Sequence, residues 1–331
     1  MSAPSRRRIG LGPGAEFDLI RRFLDSDAPL PPEVRVGPGD DAAVLEGGWV
    51  ITTDLSVEDV HFRRGWLTDH EIGYRAAAGA LSDIAAMAAA PVGVLVSLAA
   101  PRGGAVDVEA VHAGVRELAA TLGTQVIGGD MSRAPGPLVL AIVARGRAAW
   151  PVLRDGAEPG DDVWVTGMLG ASAAAVRLWE AGDVPPPALR DAFARPRPRI
   201  EEARCLVDHE LVDALIDISD GLAGDAGHIA AASGMRITLE ADAIPVAPTA
   251  VAALGGEAAF DAALHGGEDY ELCFVTDPGA VDPEYFARRH GLRLTRVGRV
   301  SEGEGVWLRA RDGSVRRLER GGFDHWGGGA P

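Results

Sequence analysis

Apolar and polar positions alternate in two rhythms along this chain of 331 residues, and the rhythms break at short polar clusters. In residues 16–24, Phe17, Leu19, Ile20, Phe23 and Leu24 recur at the spacing of one helical face. Residues 69–90 form a second helical stretch, rich in alanine, with Asp69 placed to cap its start and Pro91 to stop it. Residues 108–122, closed by Gly123, and residues 170–180 read as further helices. The apolar runs at 42–45, 94–98, 124–130, 138–143 and 162–166 are short and bounded by turn residues, as strands are.

The polar clusters carry the chemistry. Val50 and Ile51 suit the last residues of a buried strand, and Thr52, Thr53 and Asp54 then offer two hydroxyls and a carboxylate, an all-oxygen set for a hard divalent cation. In G-P-G-D-D-A-A-V-L a glycine turn delivers Asp40 and Asp41 into a strand, whose alternation lets one of the two face such a site; Asp41 is the choice. Asp83 stands on a helical face of Ala, Ile and Met, where a carboxylate is costly unless paired or metal-bound. Gly128, Gly129 and Asp130 end another strand, and the bare glycines let a phosphate approach while the aspartate reaches metal. In A-L-I-D-I-S-D-G-L, Asp217 and Ser219 share a strand face; Asp220 turns into the next helix, either to bind or to cap it. Glu268 and Asp269 follow a glycine turn in H-G-G-E-D-Y-E-L-C-F, where Cys273 reads as a buried small hydrophobe.

Each cluster alone is an ordinary polar turn, but five acidic strand ends spread over the chain are more than decoration. Two like charges about 4 Å apart repel by about 4 kcal/mol at an effective dielectric of about 20, so converging carboxylates need cations between them. The expectation is a cleft holding several Mg²⁺ ions.

Composition narrows the partners. With 32 basic and 48 acidic side chains the net charge is −16, which argues against a nucleic-acid or anionic-membrane surface. The sequence contains no lysine, so a strict Walker A loop, a kinase-type catalytic lysine and a Schiff base are excluded. Cys205 and Cys273 form no C-x-x-C pair, the N-terminus lacks a secretory apolar run, and the longest apolar tract is broken by Pro91 and Gly93; a reducing cytoplasm is expected. Turn residues around 150–160 divide the chain into two domains, 1–150 and 151–331, with residues 185–198 a proline-rich connection. Near the end, Phe323 and Trp326 in G-G-F-D-H-W either stack on a planar ligand or pin the terminus.

Taken together, G-D-D-A-A-V, T-T-D with the following His61, L-S-D-I-A-A-M, I-G-G-D, D-I-S-D-G-L, H-G-G-E-D-Y-E-L-C-F and G-F-D-H-W resemble the thiamine-phosphate kinases, in that family's order and spacing over nearly the whole chain. The resemblance implies a two-domain α+β fold of the aminoimidazole ribonucleotide synthetase type, whose N-terminal sheet pairs across a homodimer and whose C-terminal α+β domain closes the cleft. It implies ATP and thiamine phosphate as substrates and thiamine diphosphate as product, by direct in-line transfer assisted by several Mg²⁺ ions. By the same resemblance Asp41, Thr52, Thr53, Asp54, Asp83, Asp130, Asp217 and Asp220 hold Mg²⁺; Gly129, Asp130, Arg154 and Ser219 touch ATP; His61, Glu268 and Phe323 or Trp326 contact thiamine phosphate. An aromatic ATP contact of the family has no clear counterpart near His112. The alternatives are a relative that activates another acceptor with ATP and a non-catalytic Mg²⁺-nucleotide-binding regulator. The selenide-activating and hydrogenase-maturation relatives want terminal cysteines that this chain lacks.

Overall fold

A computed structural model describes residues 7–12, 14–24, 29–103, 106–208 and 212–319. The elements of the first half are α1 (Ala15–Leu24), β1 (Val34–Val36), β2 (Ala43–Leu45), β3 (Trp49–Val57), α2 (Asp69–Ala86), β4 (Ala90–Pro101), α3 (Val108–Thr121), β5 (Val126–Ala134) and β6 (Val139–Arg147). The second half continues with β7 (Asp162–Thr166), α4 (Ala171–Glu180), α5 (Pro187–Ala194), α6 (Ile200–Asp208), β8 (Ala214–Asp217), α7 (Leu222–Ser233) and β9 (Arg236–Glu240). It closes with α8 (Pro248–Leu254), α9 (Gly256–His265), β10 (Leu272–Thr276), α10 (Pro283–His290), β11 (Leu294–Ser301), β12 (Gly305–Arg309) and β13 (Val315–Arg317).

Two sheets, each with its helices, make the α+β architecture. The first runs β1-β2-β3-β6-β4-β5, antiparallel except for the β4–β5 pair. The second runs β13-β12-β9-β11-β7-β10-β8, with β9 and β12 its parallel pair. Every residue of β7, β8 and β10 is buried, so these strands are covered on both faces. Among the described residues, the first sheet is covered on one face only. Leu55, Leu95 and Ile127 lie exposed on the other, spread over three of its strands.

Local chemistry moves several expected boundaries. The T-T-D cluster does not end a strand: β3 continues through it, paired with β6 from Trp49 to Val57. Alternation places Thr52 and Asp54 on the α2 side and Thr53 on the other, so the polar residues cost the ladder nothing. Helix α2 is capped by Thr68 rather than Asp69, through a reciprocal box in which Thr68 and Glu71 satisfy each other's backbone N–H. It stops at Ala86; Pro91 lies within β4, at the pairing irregularity between Pro91 and Gly93 where no ladder donor is needed. The expected connection at 185–198 contains α5, with Pro187 at its first position, where the missing N–H is harmless.

Helix α2 is the structural centre. It is buried along almost its whole length, packed on the first sheet and α3 and reaching α5, α6 and β8 of the second half. Alanine and glycine make this possible. A Cβ at Gly73 would overlap the Val111 carbonyl of α3, and one at Gly114 of α3 would overlap the His70 carbonyl of α2. The two backbones touch at this crossing.

Candidate functional site

The site grows from the C-terminal half of α2. Ser82 and Asp83 are neighbours on this helix and reach different sheets: Ser82 Oγ donates to Asp217 Oδ2 at 2.6 Å, while Asp83 Oδ2 accepts from Thr52 Oγ1 at 2.6 Å. Asp217 is the last residue of β8, and Thr52 lies on β3, so one turn of helix draws both halves of the chain together. Asp41, from the turn before β2, completes a group in which Asp41, Asp83 and Asp217 each bring a carboxylate oxygen within 4.8 Å of the others. Asp54 lies one turn of α2 earlier, its carboxylate packed where Gly79 has no side chain.

Such crowding shows in the proton affinities. Burial, then Asp41, raises the Asp217 carboxyl to about 8. Burial, then Asp217, Asp41 and Asp54, pushes Asp83 well above the usual carboxylate range. One fixed cation offsets part of this charge. Arg154 donates from Nε to Asp41 Oδ2 at 3.0 Å and from its terminal nitrogen to Asp41 Oδ1 at 2.5 Å, and its backbone N–H donates to Asp40 Oδ2 at 3.1 Å. Asp40 and Asp41 therefore both serve the same arginine. The strand alternation argument fails for them because they precede β2 in a turn. Asp40, fully buried at its side chain, is raised to about 7 by burial and by Asp41.

A second layer comes from two loops that run side by side. Glu268 N–H donates to the Ser219 carbonyl at 2.7 Å, Tyr270 N–H to the Ile218 carbonyl at 2.9 Å, and Ile218 N–H to the Glu271 carbonyl at 2.7 Å. Glu268 (φ 65°) and Tyr270 (φ 50°) hold left-handed backbone, a costly conformation for residues with side chains. Glu268 is ion-paired with Arg75 of α2, without the alignment of a hydrogen bond. Asp269 accepts from the N–H groups of Gly170 and Ser172 at the start of α4, and burial raises it to about 8. Asp220 does not cap α7. Gly221 does, and Asp225 turns back to accept from the N–H of Asp220 at 3.2 Å and of Gly221 at 3.0 Å. Asp220, Asp225 and a ring nitrogen of His228 form a second group within 4.8 Å, in which burial drives His228 down to about 3 and so keeps it neutral.

The remaining sequence candidates divide. His61 Nδ1 accepts from the Val57 N–H at 3.0 Å, which leaves the proton of the neutral ring on Nε2. Thr53 points away from the carboxylate group. Gly129 and Asp130 lie inside β5, the exposed edge strand, separated from β3 by β6 and β4, roughly 14 Å at the usual strand spacing. At Gly129 the close neighbour is the Val96 carbonyl of β4, which a Cβ would overlap. Phe323 and Trp326 lie outside the described residues. Sequence reasoning missed Arg75, Ser82, Asp40 and Asp225. Arg75 carried the signal that marked Asp83, a charge on a face of alanine and glycine, two turns earlier.

The donors fit a hard cation: the first group offers only carboxylate oxygens, and two of its three members hold their protons tightly when no cation relieves them. The chain matches the family models for AIR synthase related proteins, the N-terminal domain over residues 39–148 and the C-terminal domain over 158–310. It is 36% identical to the thiamine-monophosphate kinase of Rhodopirellula baltica over 89% of this chain and 92% of the relative. With that of Escherichia coli K12 it shares 35% identity, over 94% and 98%. The chain belongs to the thiamine-monophosphate kinase family. Thiamine-monophosphate kinase structures superpose over nearly its full length: the one from Stenotrophomonas maltophilia with a TM-score of 0.75 at 36% identity, over 93% of this chain and 99% of that one. AaThiL complexed with AMPPCP and TMP gives a TM-score of 0.80 at 31% identity, over 95% and 97%. Hydrogenase maturation protein HypE shares the thiamine-monophosphate kinase fold at 18% identity and a TM-score of 0.69.

Proposed function

We propose that this protein transfers the γ-phosphoryl group of ATP to thiamine phosphate, giving ADP and thiamine diphosphate. The observation that carries the reading is the meeting of Asp41, Asp83 and Asp217 at one turn of α2, in a chain of the thiamine-monophosphate kinase family. An acceptor phosphate has a second pKa of about 6 and is largely ionised at neutral pH, so no strong general base is required. What the reaction needs is alignment of two anions and neutralisation of their charge.

Asp41, Asp54, Asp83 and Asp217, with Thr52 orienting Asp83 and Ser82 orienting Asp217, would hold Mg²⁺. Bound there, Mg²⁺ supplies the positive charge that lysine supplies in other kinases. Asp220 with Asp225 would hold a further ion; Thr53 and Asp130 are assigned to Mg²⁺ by resemblance. Arg154 is held at Asp41, which orients its guanidinium beside the carboxylates, and it would bind ATP phosphate together with Gly129, Asp130 and Ser219. His61, donating from Nε2, and Glu268 would contact thiamine phosphate, joined by Phe323 or Trp326.

Residues 1–150 would supply ATP and Mg²⁺ binding and dimerisation, and 151–331 would complete the cleft. The exposed Leu55, Leu95 and Ile127 support a homodimer formed across the open face of the first sheet. No helix among the described residues is long and apolar enough to cross a membrane, and we place the enzyme in the cytoplasm, where its two unpaired cysteines remain reduced. Phosphorus NMR of the protein with ATP, Mg²⁺ and thiamine phosphate, and in parallel with thiamine, tests the reaction. The expected outcome is a thiamine diphosphate signal growing in step with ADP and no phosphorylation of thiamine. Bound Mg-ATP with no product from thiamine phosphate would refute it.

A further inference from the structure

Arg75 has no part in the assignments above, yet it is among the most completely enclosed charges in the molecule. Its side chain is 5% exposed, in the N-terminal half of α2. Its partners all come from the second half of the chain. One terminal nitrogen donates to the Phe193 carbonyl at the end of α5 at 2.6 Å, the other pairs with the Glu268 carboxylate, and the guanidinium carbon stands 3.7 Å from the centre of the Phe193 ring and 5.9 Å from that of Tyr270. A flat fork with several donors can bond a carbonyl and a carboxylate while stacking on a ring; an ammonium group cannot do all three.

The backbone around Glu268 is fixed independently. Glu268 and Tyr270 are left-handed and their N–H groups are bonded to the Ser219 and Ile218 carbonyls. What the backbone leaves open is the direction of the Glu268 side chain, about a quarter of which remains exposed. We infer that Arg75 is a positioning residue for the acceptor substrate: it aims the Glu268 carboxylate into the cleft and neutralises it, so that this end of α2 selects the acceptor and leaves divalent cations to the Asp83 end. The inference deepens the proposed function and rests on its assignment of Glu268 to the acceptor. Removing Arg75 takes away the charge that fixes the carboxylate beside its hydrogen bond with the Tyr270 side chain, and the loss falls on the molecule Glu268 touches.

The experiment is a steady-state comparison of the full-length wild type with Arg75→Lys, Arg75→Met, Glu268→Gln and the Arg75→Met/Glu268→Gln double variant, varying each substrate separately. Arg75→Met is expected to raise KM for thiamine phosphate by at least about tenfold while KM for ATP stays within about twofold. Arg75→Lys keeps the charge without the fork and should fall between wild type and Arg75→Met. In the Glu268→Gln background, Arg75→Met should add less than about threefold, because both changes then act on one interaction. An unchanged KM for thiamine phosphate, an equal rise in both KM values, or a full additional loss in the double variant would overturn the inference. Should Arg75→Met fail to fold, Arg75→Lys decides: a selective rise in KM for thiamine phosphate supports the inference, and equal effects on both substrates refute it. Wild-type turnover of thiamine phosphate is the separate control for the reaction itself, so the two failures are distinguishable.

Discussion

Arg75 and Asp83 lie about two turns apart on α2, the first reaching the second half of the chain and the second reaching β3, and their surroundings are opposite. Arg75 is enclosed by an opposite charge, a carbonyl oxygen and two aromatic rings. Asp83 faces Asp41, Asp54 and Asp217, and the Thr52 hydroxyl donates to it. The first end is complete as folded. The second crowds carboxyls that hold protons as folded and that a divalent cation would replace on the proposed function. The contrast shows how one helix can hold a shape at one end and store binding energy for a ligand at the other.

Substitutions at the two ends should therefore separate stability from activity. The largest effect is expected for Asp83→Asn, which keeps the size and the Thr52 contact but removes charge from the cation site. Turnover should fall at least about 100-fold, as when one electrostatic stabiliser is lost, while the melting temperature without divalent ions holds or rises. Near-normal turnover at saturating Mg²⁺ would erase the distinction between the ends.

A smaller effect with a definite pH signature is expected for Asp217→Asn. The Asp217 carboxyl is raised to about 8 from an ordinary value near 4, so between these values the folded protein holds a proton that the unfolded chain releases. Its contribution to stability is complete below about pH 4 and is lost as pH rises through about 8. Melting curves of the Mg²⁺-free protein should show stability declining across that window, and Asp217→Asn should flatten the decline by about 1 kcal/mol or more. A slope identical to wild type would show that the carboxylates do not strain the fold.

A third effect, well below that of Asp83→Asn, is expected midway between the two positions. At Gly79 a Cβ would overlap the Asp54 carboxylate and come within 3.5 Å of the Tyr270 hydroxyl. Gly79→Ala improves intrinsic helix propensity by about 1 kcal/mol, yet it should lower turnover by about tenfold by displacing Asp54. Full activity in this variant, measured beside circular dichroism of its helix content, would mean that Asp54 does not need its present position.

Sequence reasoning read the first four helices because amphipathic and alanine-rich stretches carry their own period, while the α+β class came with the family resemblance and α5, in a proline-rich stretch, read as a connection. Asp83 and Asp217 were legible for a related reason, since a carboxylate inside an apolar run demands an explanation. Thr52, Thr53 and Asp54 misled as a strand end because local polarity resembles a turn, whereas β3 is set by nine residues of pairing with β6 far along the chain. Asp40 was passed over because alternation was applied to a turn. The partnership of Arg75 with Phe193, 118 residues away, has no trace in either local segment. The binding roles of Gly129 and Asp130 rest on resemblance and proposal, since position on an exposed edge strand does not by itself declare a role.

The glycine crossing of α2 and α3 has a consequence best put in terms of measurement. With Gly73 and Gly114 seating backbone against backbone, α2 has no room to slide along or roll on its neighbour. Arg75 and Asp83, eight residues apart, are then fixed at a rise of roughly 12 Å. On the proposed function the helix is a ruler with one mark near each end, and an acceptor would be gauged by whether it reaches from Glu268, beside Arg75, to the carboxylates at Asp83.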